Sequence, residues 1–360
     1  MKTVEELLEE YWSRIDGKYE VRELVLKVTS NRYLVRSALQ KSIRRGYVQR
    51  AMDYASYLYH YDPRKVWRDL SIIAIEDIGV GDPDAVFLAH WMDKSIKHWV
   101  DTEDPLRTLM CTVVGLATAP QKSRACCELS LGSDLLSGRM TAQEDYNLMP
   151  KDVELKFNAD YRFVSIPHLI SLYVELLKAR GKDLGRMNKE ALVALVDAYR
   201  ELMSPELHRM GELSLNRAHD HMFCAALPVA AAYSQSTVTQ LPNDFVEERF
   251  IRGVPAMAFD MHTHPGKLAI KAFIKHFSEQ DLRISMLPKD YAVKAFGSLV
   301  FTEEGGLCNN QIDFCNLKAF QDQFFHWGFG VPMNAEDAWV HLVRENIHVL
   351  HDKREWASKL

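Results

Sequence analysis

Apolar residues recur at helical spacing along most of the chain, and turn residues separate the resulting segments. Between Asn31 and Arg45 the apolar positions lie three and four residues apart, and Gly46 follows as a C-terminal stop. Thr3 and Glu6 have the spacing of a capping box ahead of an apolar run. This pattern predicts helices, and in the first part of the chain it also predicts where they begin and end.

Asp-Pro and Ser-Pro pairs supply further helix starts. In each pair the first residue can cap the helix, and the proline takes the first helical position, where its missing N–H costs nothing. The first pair opens a helix that we predict to run to Ile78 and to stop at Gly79. The pairs are Asp62-Pro63, Asp82-Pro83, Asp104-Pro105 and Ser204-Pro205.

The rest of the chain also reads mainly as helix. Residues 297–302, Gly-Ser-Leu-Val-Phe-Thr, are the best candidate for a strand and leave room for one small β-hairpin. A loop-like composition over 137–165 suggests a domain boundary. We therefore predict a mainly α fold, with one helical domain over 1–140 and a second helical domain over 141–360. The further helices are predicted at 48–59, 165–180, 188–203, 205–232, 266–278 and 335–357.

Composition and charge narrow the class of protein. Of the 360 residues, 47% are hydrophobic and 26% are charged, which is ordinary for a globular protein. The formal charge is −5, so DNA could be attracted only by a local basic surface. Charges interrupt the apolar runs and the first residues are acidic, so we expect neither a membrane span nor a signal peptide. The six cysteines form no Cys-x-x-Cys pair, which favours reduced thiols and a cytoplasmic location.

Three short motifs lie in the first 140 residues. Residues 38–42 read Ala-Leu-Gln-Lys-Ser, residues 75–79 read Ile-Glu-Asp-Ile-Gly, and residues 119–123 read Ala-Pro-Gln-Lys-Ser. In order and spacing they resemble the helical C-terminal collar of the replication-associated recombination protein A family, which are clamp-loader-like AAA+ ATPases. Gln40, Ile75 and the inserted Gln121 depart from the family pattern. The resemblance covers residues 33–137 and implies a helical domain, a role in DNA metabolism and a possible homo-oligomer.

The ATPase part of that family has no counterpart in this sequence. A phosphate-binding loop needs Gly-x-x-x-x-Gly-Lys followed by Ser or Thr. Around Gly266 and Lys267, the first glycine position holds Met261 and the last position holds Leu268. We therefore expect no nucleotide cofactor and no motor.

Basic residues accompany the collar motifs. Lys41, Arg44 and Arg45 share one predicted helix. Lys122 and Arg124 lie at a turn before a helix, where free backbone N–H groups favour a phosphate. These residues could line a groove for a DNA backbone, or they could belong to ordinary solvated helix faces.

Further basic and aromatic residues lie nearby. Arg36 precedes Arg44 by two turns, and Arg64, Lys65 and Arg68 open a later helix. A run of tyrosines between residues 47 and 61 could stack on bases, although packing between helices is the commoner use of such rings.

The strongest chemical candidates lie in residues 259–267, Phe-Asp-Met-His-Thr-His-Pro-Gly-Lys. Asp260, His262 and His264 fall within five residues of one another, just before a predicted amphipathic helix. Lys267 and Lys271 lie one turn apart on that helix and could contact phosphates. A carboxylate, two imidazoles and several cations are thus predicted to share one helix N-terminus.

Three interpretations of this segment stay open. The plainest is a helix cap, in which Asp260 or Thr263 caps the helix and the histidines have no chemical role. Another is a metal centre, because two histidines alternate here and a second His-x-His lies upstream. The third is an active site on DNA, in which a carboxylate stabilises the charge that develops on the sugar as a flipped base leaves. The histidines of the metal interpretation are His219, His221, His262 and His264.

An Asp-x-His-Thr element in a collar-like protein without its ATPase resembles the antiphage DNA glycosylases of the bacteriophage replication inhibition type. The resemblance implies excision of a glucosylated hydroxymethylcytosine from phage DNA, with neither a metal nor a nucleotide cofactor. Asp260 would be the essential carboxylate, with His262 and His264 beside the base or sugar. Its replacement by alanine should abolish activity and leave the fold nearly intact.

Two other functions remain as alternatives. One is a non-enzymatic collar-type scaffold that forms oligomers or recruits replication proteins. The other is a metal-dependent hydrolase that uses the four histidines.

Overall fold

A computed structural model describes residues 2–20, 31–95, 104–127, 204–215, 230, 238–242, 245, 248–287, 289–314 and 336–360. Helices dominate these ranges, and each of the two sheets found there has two short strands. The prediction of a mainly α fold is confirmed. The boundary predicted near residue 140 and the helices predicted at 165–180 and 188–203 lie outside the described residues.

The early helices follow the local signals in the sequence. The capping box at Thr3 and Glu6 is present, and Gly46 ends its helix with a φ of +70°. The aspartate of each Asp-Pro pair caps the helix that follows through its side-chain oxygen. These helices are α1 (Val4–Ile15), α2 (Arg32–Arg45), α3 (Val48–Tyr61), α4 (Pro63–Ile73), α5 (Pro83–Lys94) and α6 (Pro105–Ala117).

The helix α4 differs from the prediction at its C-terminal end. The α-helix does not run to Ile78, because Ala74–Ile78 form a π-helical turn. Gly79 follows with a φ of +48°, and a Cβ atom there would lie 2.8 Å from the carbonyl oxygen of Ser123. A glycine is therefore required for the 119–123 turn to pack against the end of this helix.

The later elements include all of the described strands, each of two or three residues. The strands β2 and β3 form an antiparallel hairpin, and β1 pairs with the distant β4. The helices are α7 (Pro205–Leu215), α8 (His264–Ser278), α9 (Leu282–Met286), α10 (Lys289–Val300), α11 (Glu336–Glu345) and α12 (Ile347–Ala357). The strands are β1 (Val238–Gln240), β2 (Phe250–Ile251), β3 (Val254–Pro255) and β4 (Ile312–Phe314).

Two predictions for this part are wrong. The strand predicted at 297–302 is the end of α10 followed by a second π-helical turn, Phe301–Gly305. Its β-branched and aromatic residues suggested a strand, but Phe296, Leu299 and Val300 are buried at helical spacing, and packing outweighs local propensity. The single helix predicted at 335–357 is two helices, which meet at Asn346.

Two apolar cores organise the described residues. The first combines α1–α7 with apolar residues of 251–259 and Ile312, and the second combines α8–α12. Phe259 belongs to the first core and Ala269 to the second, so the segment between them crosses the junction of the two cores. No helix in the described ranges is long and apolar enough to cross a membrane.

Candidate functional site

One face of α2 carries polar side chains into the junction of the two cores. Ser37 and Lys41 are one turn apart, and Arg44 and Arg45 follow one turn later. Lys41 is only 1% exposed, and all four side chains are buried. An unpaired buried charge costs several kcal/mol, which is comparable to the free energy of unfolding of a whole domain. Each of these cations therefore needs a partner.

Asp260 is the partner of Lys41. Its Oδ2 atom accepts hydrogen bonds from Lys41 Nζ and from Ser37 Oγ, the latter at 2.9 Å. Its Oδ1 atom accepts from the backbone N–H of His262 at 2.9 Å. Burial alone would raise the pKa of Asp260, but the charge of Lys41 and then that of His262 hold this pKa well below its usual range. Asp260 is therefore an ionised and immobilised carboxylate.

The first turn of α8 explains why Asp260 stands where it does. Thr263 caps this helix: its Oγ1 accepts from the N–H of Gly266 at 3.1 Å and donates to the carbonyl oxygen of Asp260 at 3.0 Å. Gly266 packs so closely beneath Asp260 that a Cβ atom there would overlap that same carbonyl oxygen. The helix cap that the sequence suggested is present, and Thr263 provides it.

Replacing Gly266 by alanine should lower the free energy of unfolding by about 3 kcal/mol, because the added methyl group meets a backbone atom that cannot turn away. Gly253→Ala is the matched control, since no atom lies within 4 Å of a Cβ atom there and only its φ of +85° is unfavourable. The control should lose about 1 kcal/mol. Urea unfolding of both variants checks this, and equal losses would contradict the close approach at Gly266.

Arg44 connects the two π-helical turns. Its Nε donates to Asp77 Oδ1 at 2.6 Å, and its Nη1 donates to the carbonyl oxygen of Gly305 at 2.7 Å. Gln40, one turn before Arg44, donates to the other oxygen of Asp77 at 2.9 Å. Both π-helical turns thus place their ends against the same guanidinium group, and such turns often occur at functional sites.

Glu76 brings this network to the surface. Its side chain is 17% exposed and lies 3.4 Å from Arg44 Nη2. Partial burial and the negative charge of Asp77 raise the pKa of Glu76 against the opposing charge of Arg44. Glu76 therefore holds a proton at a higher pH than an ordinary glutamate does.

The aromatic ring of Phe301 lies between two guanidinium groups. Its centroid is 4.8 Å from Arg44 and 4.4 Å from Arg124. Arg124 also donates to the carbonyl oxygen of Gly306 at 3.1 Å. The ring faces offer negative charge to both cations, which offsets part of the cost of holding two like charges close together.

Lys122 is held by neutral oxygens. Its Nζ donates to the carbonyl oxygen of Ala117 at 3.0 Å and to the side chain of Asn309. Burial without an anionic contact lowers the pKa of Lys122 to about 8. The backbone of the same residue bonds to residues 310 and 312, so the third collar motif is fixed against β4.

Glu304 anchors the last helix of the chain to this network. Its carboxylate accepts from Arg354 Nη1 at 2.6 Å and is hydrogen-bonded to His351 at 2.7 Å. Arg354 also donates to the carbonyl oxygen of Phe259 at 3.0 Å. Burial would raise the pKa of Glu304, but Arg354 and His351 lower it to about 2. The Glu304 carbonyl oxygen accepts from Arg45 as well, at 2.9 Å.

The structure separates the predicted site residues into two groups. The side chains of one group are exposed at the start of α8, and those of the other group are buried and bonded inside the protein. The buried cations do not line a surface groove, so their predicted role as contacts to a DNA backbone does not fit their position. The exposed group is His262, His264, Lys267 and Lys271, and the buried group is Asp260, Lys41, Arg44, Arg45, Lys122 and Arg124.

Sequence reasoning missed several members of the network. The position of Ser37 could have been predicted, because it precedes Lys41 by one helical turn and so lies on the same helix face. Glu304 had a weaker signal, as a carboxylate directly before two glycines. Gln40 and Asp77 belong to the collar motifs, but nothing in the motifs indicates that they bind each other.

The histidines of the metal interpretation do not meet within the described residues. His219 and His221 lie outside these residues, while His262 and His264 are exposed. Burial of part of the ring and the nearby Lys41 lower the pKa of His262, although Asp260 opposes this. Across the ranges that the structure covers, no group of three or more His, Cys, Asp and Glu side chains is arranged to hold a metal ion.

No protein-family model matches the chain, and no curated protein or solved structure matches it significantly. The resemblances to the collar and to the antiphage glycosylases therefore rest on the motifs in this sequence. A function for this protein is therefore proposed from the geometry of the site.

Proposed function

We propose that this protein is a monofunctional DNA glycosylase that excises a glucosylated hydroxymethylcytosine from phage DNA. The observation that carries the proposal is the ionised, immobilised Asp260 directly beside the exposed His262 at the start of α8. Clustered buried charges with a perturbed pKa are commoner at functional sites than in ordinary cores, where apolar residues are cheaper.

A fixed carboxylate such as Asp260 can supply the charge stabilisation that base excision requires. As the bond between base and sugar breaks, positive charge develops on the deoxyribose, and a fixed carboxylate stabilises it. Both oxygens of Asp260 already accept hydrogen bonds, which fix the carboxylate in place. Because Asp260 is only 6% exposed, a flipped nucleotide would have to approach it from the side of the exposed His262. Water would then be the nucleophile, as in a monofunctional enzyme, and His262 would face the leaving base.

Two exposed lysines support contact with DNA at the same place. Lys267 and Lys271 are one turn apart on α8, and Lys267 follows His262 by five residues. Lysines on an exposed helix face can follow the phosphates that flank a flipped nucleotide. Of the seven basic residues that the sequence assigned to DNA contact, Lys267 and Lys271 are the two with exposed side chains.

The test is incubation of the purified protein, with EDTA throughout, with three DNAs: ordinary, hydroxymethylated and glucosylated. Abasic sites are then detected by alkaline cleavage. The expected result is strand breaks in the glucosylated DNA alone. Intact DNA in all three samples would overturn the proposal. A parallel set of the same DNAs without EDTA tests the alternative, since activity confined to that set would favour the metal-dependent hydrolase.

A second candidate is a non-enzymatic collar-type scaffold. One observation favours it: polar residues from all three collar motifs are bonded inside the fold, as in the hydrogen bonds from Gln40 to Asp77 and from Lys122 to the carbonyl oxygen of Ala117. These internal contacts stabilise the fold and involve no substrate. This candidate predicts a stable homo-oligomer by light scattering together with intact DNA in the excision assay.

A further inference from the structure

A second cationic surface lies where α2 begins, α3 ends and α4 begins. We call it the hairpin-end surface, because α2 and α3 form a helical hairpin joined by residues 46–47. Its side chains are exposed or partly exposed, and two of them are aromatic. It consists of Arg32, Tyr33, Arg36, Tyr61, Arg64, Lys65 and Arg68.

The fold brings these residues together from three helices. The hairpin places the first turn of α2 beside the last turn of α3, and Asp62 then caps α4 directly afterwards. Asp69 on α4 ties the parts together: it lies 2.8 Å from Arg32 and 3.0 Å from Arg36. Arg64 and Arg68 lie one turn apart on the exposed side of α4.

Positive charge exceeds negative charge on this surface. Five cations face two carboxylates, and the whole chain in contrast has a formal charge of −5. Of the two carboxylates, Asp69 is buried beneath the arginines and Asp62 pairs with Lys65 at 3.2 Å. Four of the five cations are arginines, whose guanidinium groups suit phosphate oxygens.

Two tyrosine rings on the same surface are largely exposed to solvent. Tyr33 is 66% exposed and Tyr61 is 60% exposed, whereas Tyr11 and Tyr54 are buried. A large ring left in water next to arginines is the arrangement by which proteins bind a nucleic acid strand: the cations follow the phosphates and the rings stack on bases.

The hairpin-end surface also adjoins the candidate site. Arg32, Arg36 and Gln40 follow one another at intervals of one turn along α2, and Gln40 binds Asp77 of the buried network. A strand held by the arginines would thus continue along α2 toward the network.

We propose that the hairpin-end surface binds DNA, with its arginines on the phosphates and with Tyr33 and Tyr61 stacked on unpaired bases. The choice of DNA rests on the proposed function. The inference that this surface binds a ligand rests only on its positive charge and its exposed tyrosine rings.

The test is a fluorescence anisotropy titration of the full chain with a labelled, unmodified single-stranded DNA. Arg64→Glu/Arg68→Glu should weaken binding at least tenfold and make it less dependent on salt, since two phosphate contacts become repulsive. The matched control is Lys18→Glu/Lys359→Glu, which makes the same change in net charge at exposed positions of other segments. The control should bind within about twofold of wild type, because distant exposed charges are screened.

A second variant tests the rings. Tyr33→Ala/Tyr61→Ala should weaken binding of the single strand about tenfold and binding of a duplex much less, because paired bases offer no free face. Circular dichroism confirms that the variants remain folded.

The outcomes separate this proposal from the glycosylase proposal, since excision is not needed for binding to unmodified DNA. Weakened binding in the arginine variant supports the surface even if no base is ever excised. No binding by wild type, or equal binding by the arginine variant and its control, overturns it whatever the excision assay gives. Tighter binding of an RNA of the same sequence would overturn the choice of DNA.

Discussion

Replacing Asp260 by alanine should lower the free energy of unfolding by about 3–5 kcal/mol, because it leaves Lys41 buried without its carboxylate partner. Lys41 is 1% exposed, so water cannot take the place of that partner. Ser37 would lose its acceptor as well. The expectation from the sequence, that this variant keeps its fold nearly intact, does not fit the geometry. A loss of activity in Asp260→Ala alone would therefore say little about catalysis.

The double variant Lys41→Met/Asp260→Leu separates stability from chemistry. It removes both charges and keeps their approximate volume, and such replacements of buried ion pairs are often neutral or stabilising. Urea unfolding should show that it recovers most of what Asp260→Ala loses. In the excision assay it should be stable and inactive.

Two results would contradict these expectations. Wild-type stability of Asp260→Ala would contradict the buried pair between Asp260 and Lys41. Wild-type excision by the stable double variant would exclude Asp260 from the chemistry.

Glu304→Gln should also destabilise the protein by about 3 kcal/mol at neutral pH, because the pKa of Glu304 falls from an ordinary 4.5 to about 2 on folding. A carboxylate with a lowered pKa stabilises the fold above its unfolded pKa. That contribution is lost as the pH falls through the folded pKa. The advantage of wild type over the variant should thus be constant above about pH 5 and should shrink as the pH falls from there toward 2.

Glu303→Gln is the matched control for this prediction. Glu303 lies in the same π-helical turn and pairs at 2.7 Å with Arg344, whose side chain is 62% exposed. The Glu303 side chain is 10% exposed, but its exposed partner Arg344 can turn to water, so this variant should lose only about 1 kcal/mol. Urea unfolding at several pH values measures both variants, and a wild-type advantage over Glu304→Gln that grows as the pH falls would contradict the assignment.

Local signals in the sequence predicted much of the described helical fold. The caps at Asp62 and Thr3 and the stop at Gly46 lie where short-range hydrogen bonding and backbone freedom place them. The same signals failed at residues 297–302, because the packing of α10 decides that segment and its sequence alone favours a strand.

The candidate site was predictable only in part. The sequence located the polar segment around Asp260, but the pair between Asp260 and Lys41 spans 219 residues. The bond from Arg44 to Gly305 spans 261 residues. A basic helix face that binds buried carboxylates has the same spacing as one that faces water, so periodicity could not tell that Arg44 points inward.

The charge network has a consequence for motion. Arg44 joins α2 to the second π-helical turn, and Arg354 joins α12 to the carbonyl oxygen of Phe259. A hinge between the two cores would have to open these contacts and leave guanidinium groups without partners in a dry environment, at a cost of several kcal/mol. These contacts therefore oppose a hinge motion between the two cores and hold Asp260 in its position at the junction.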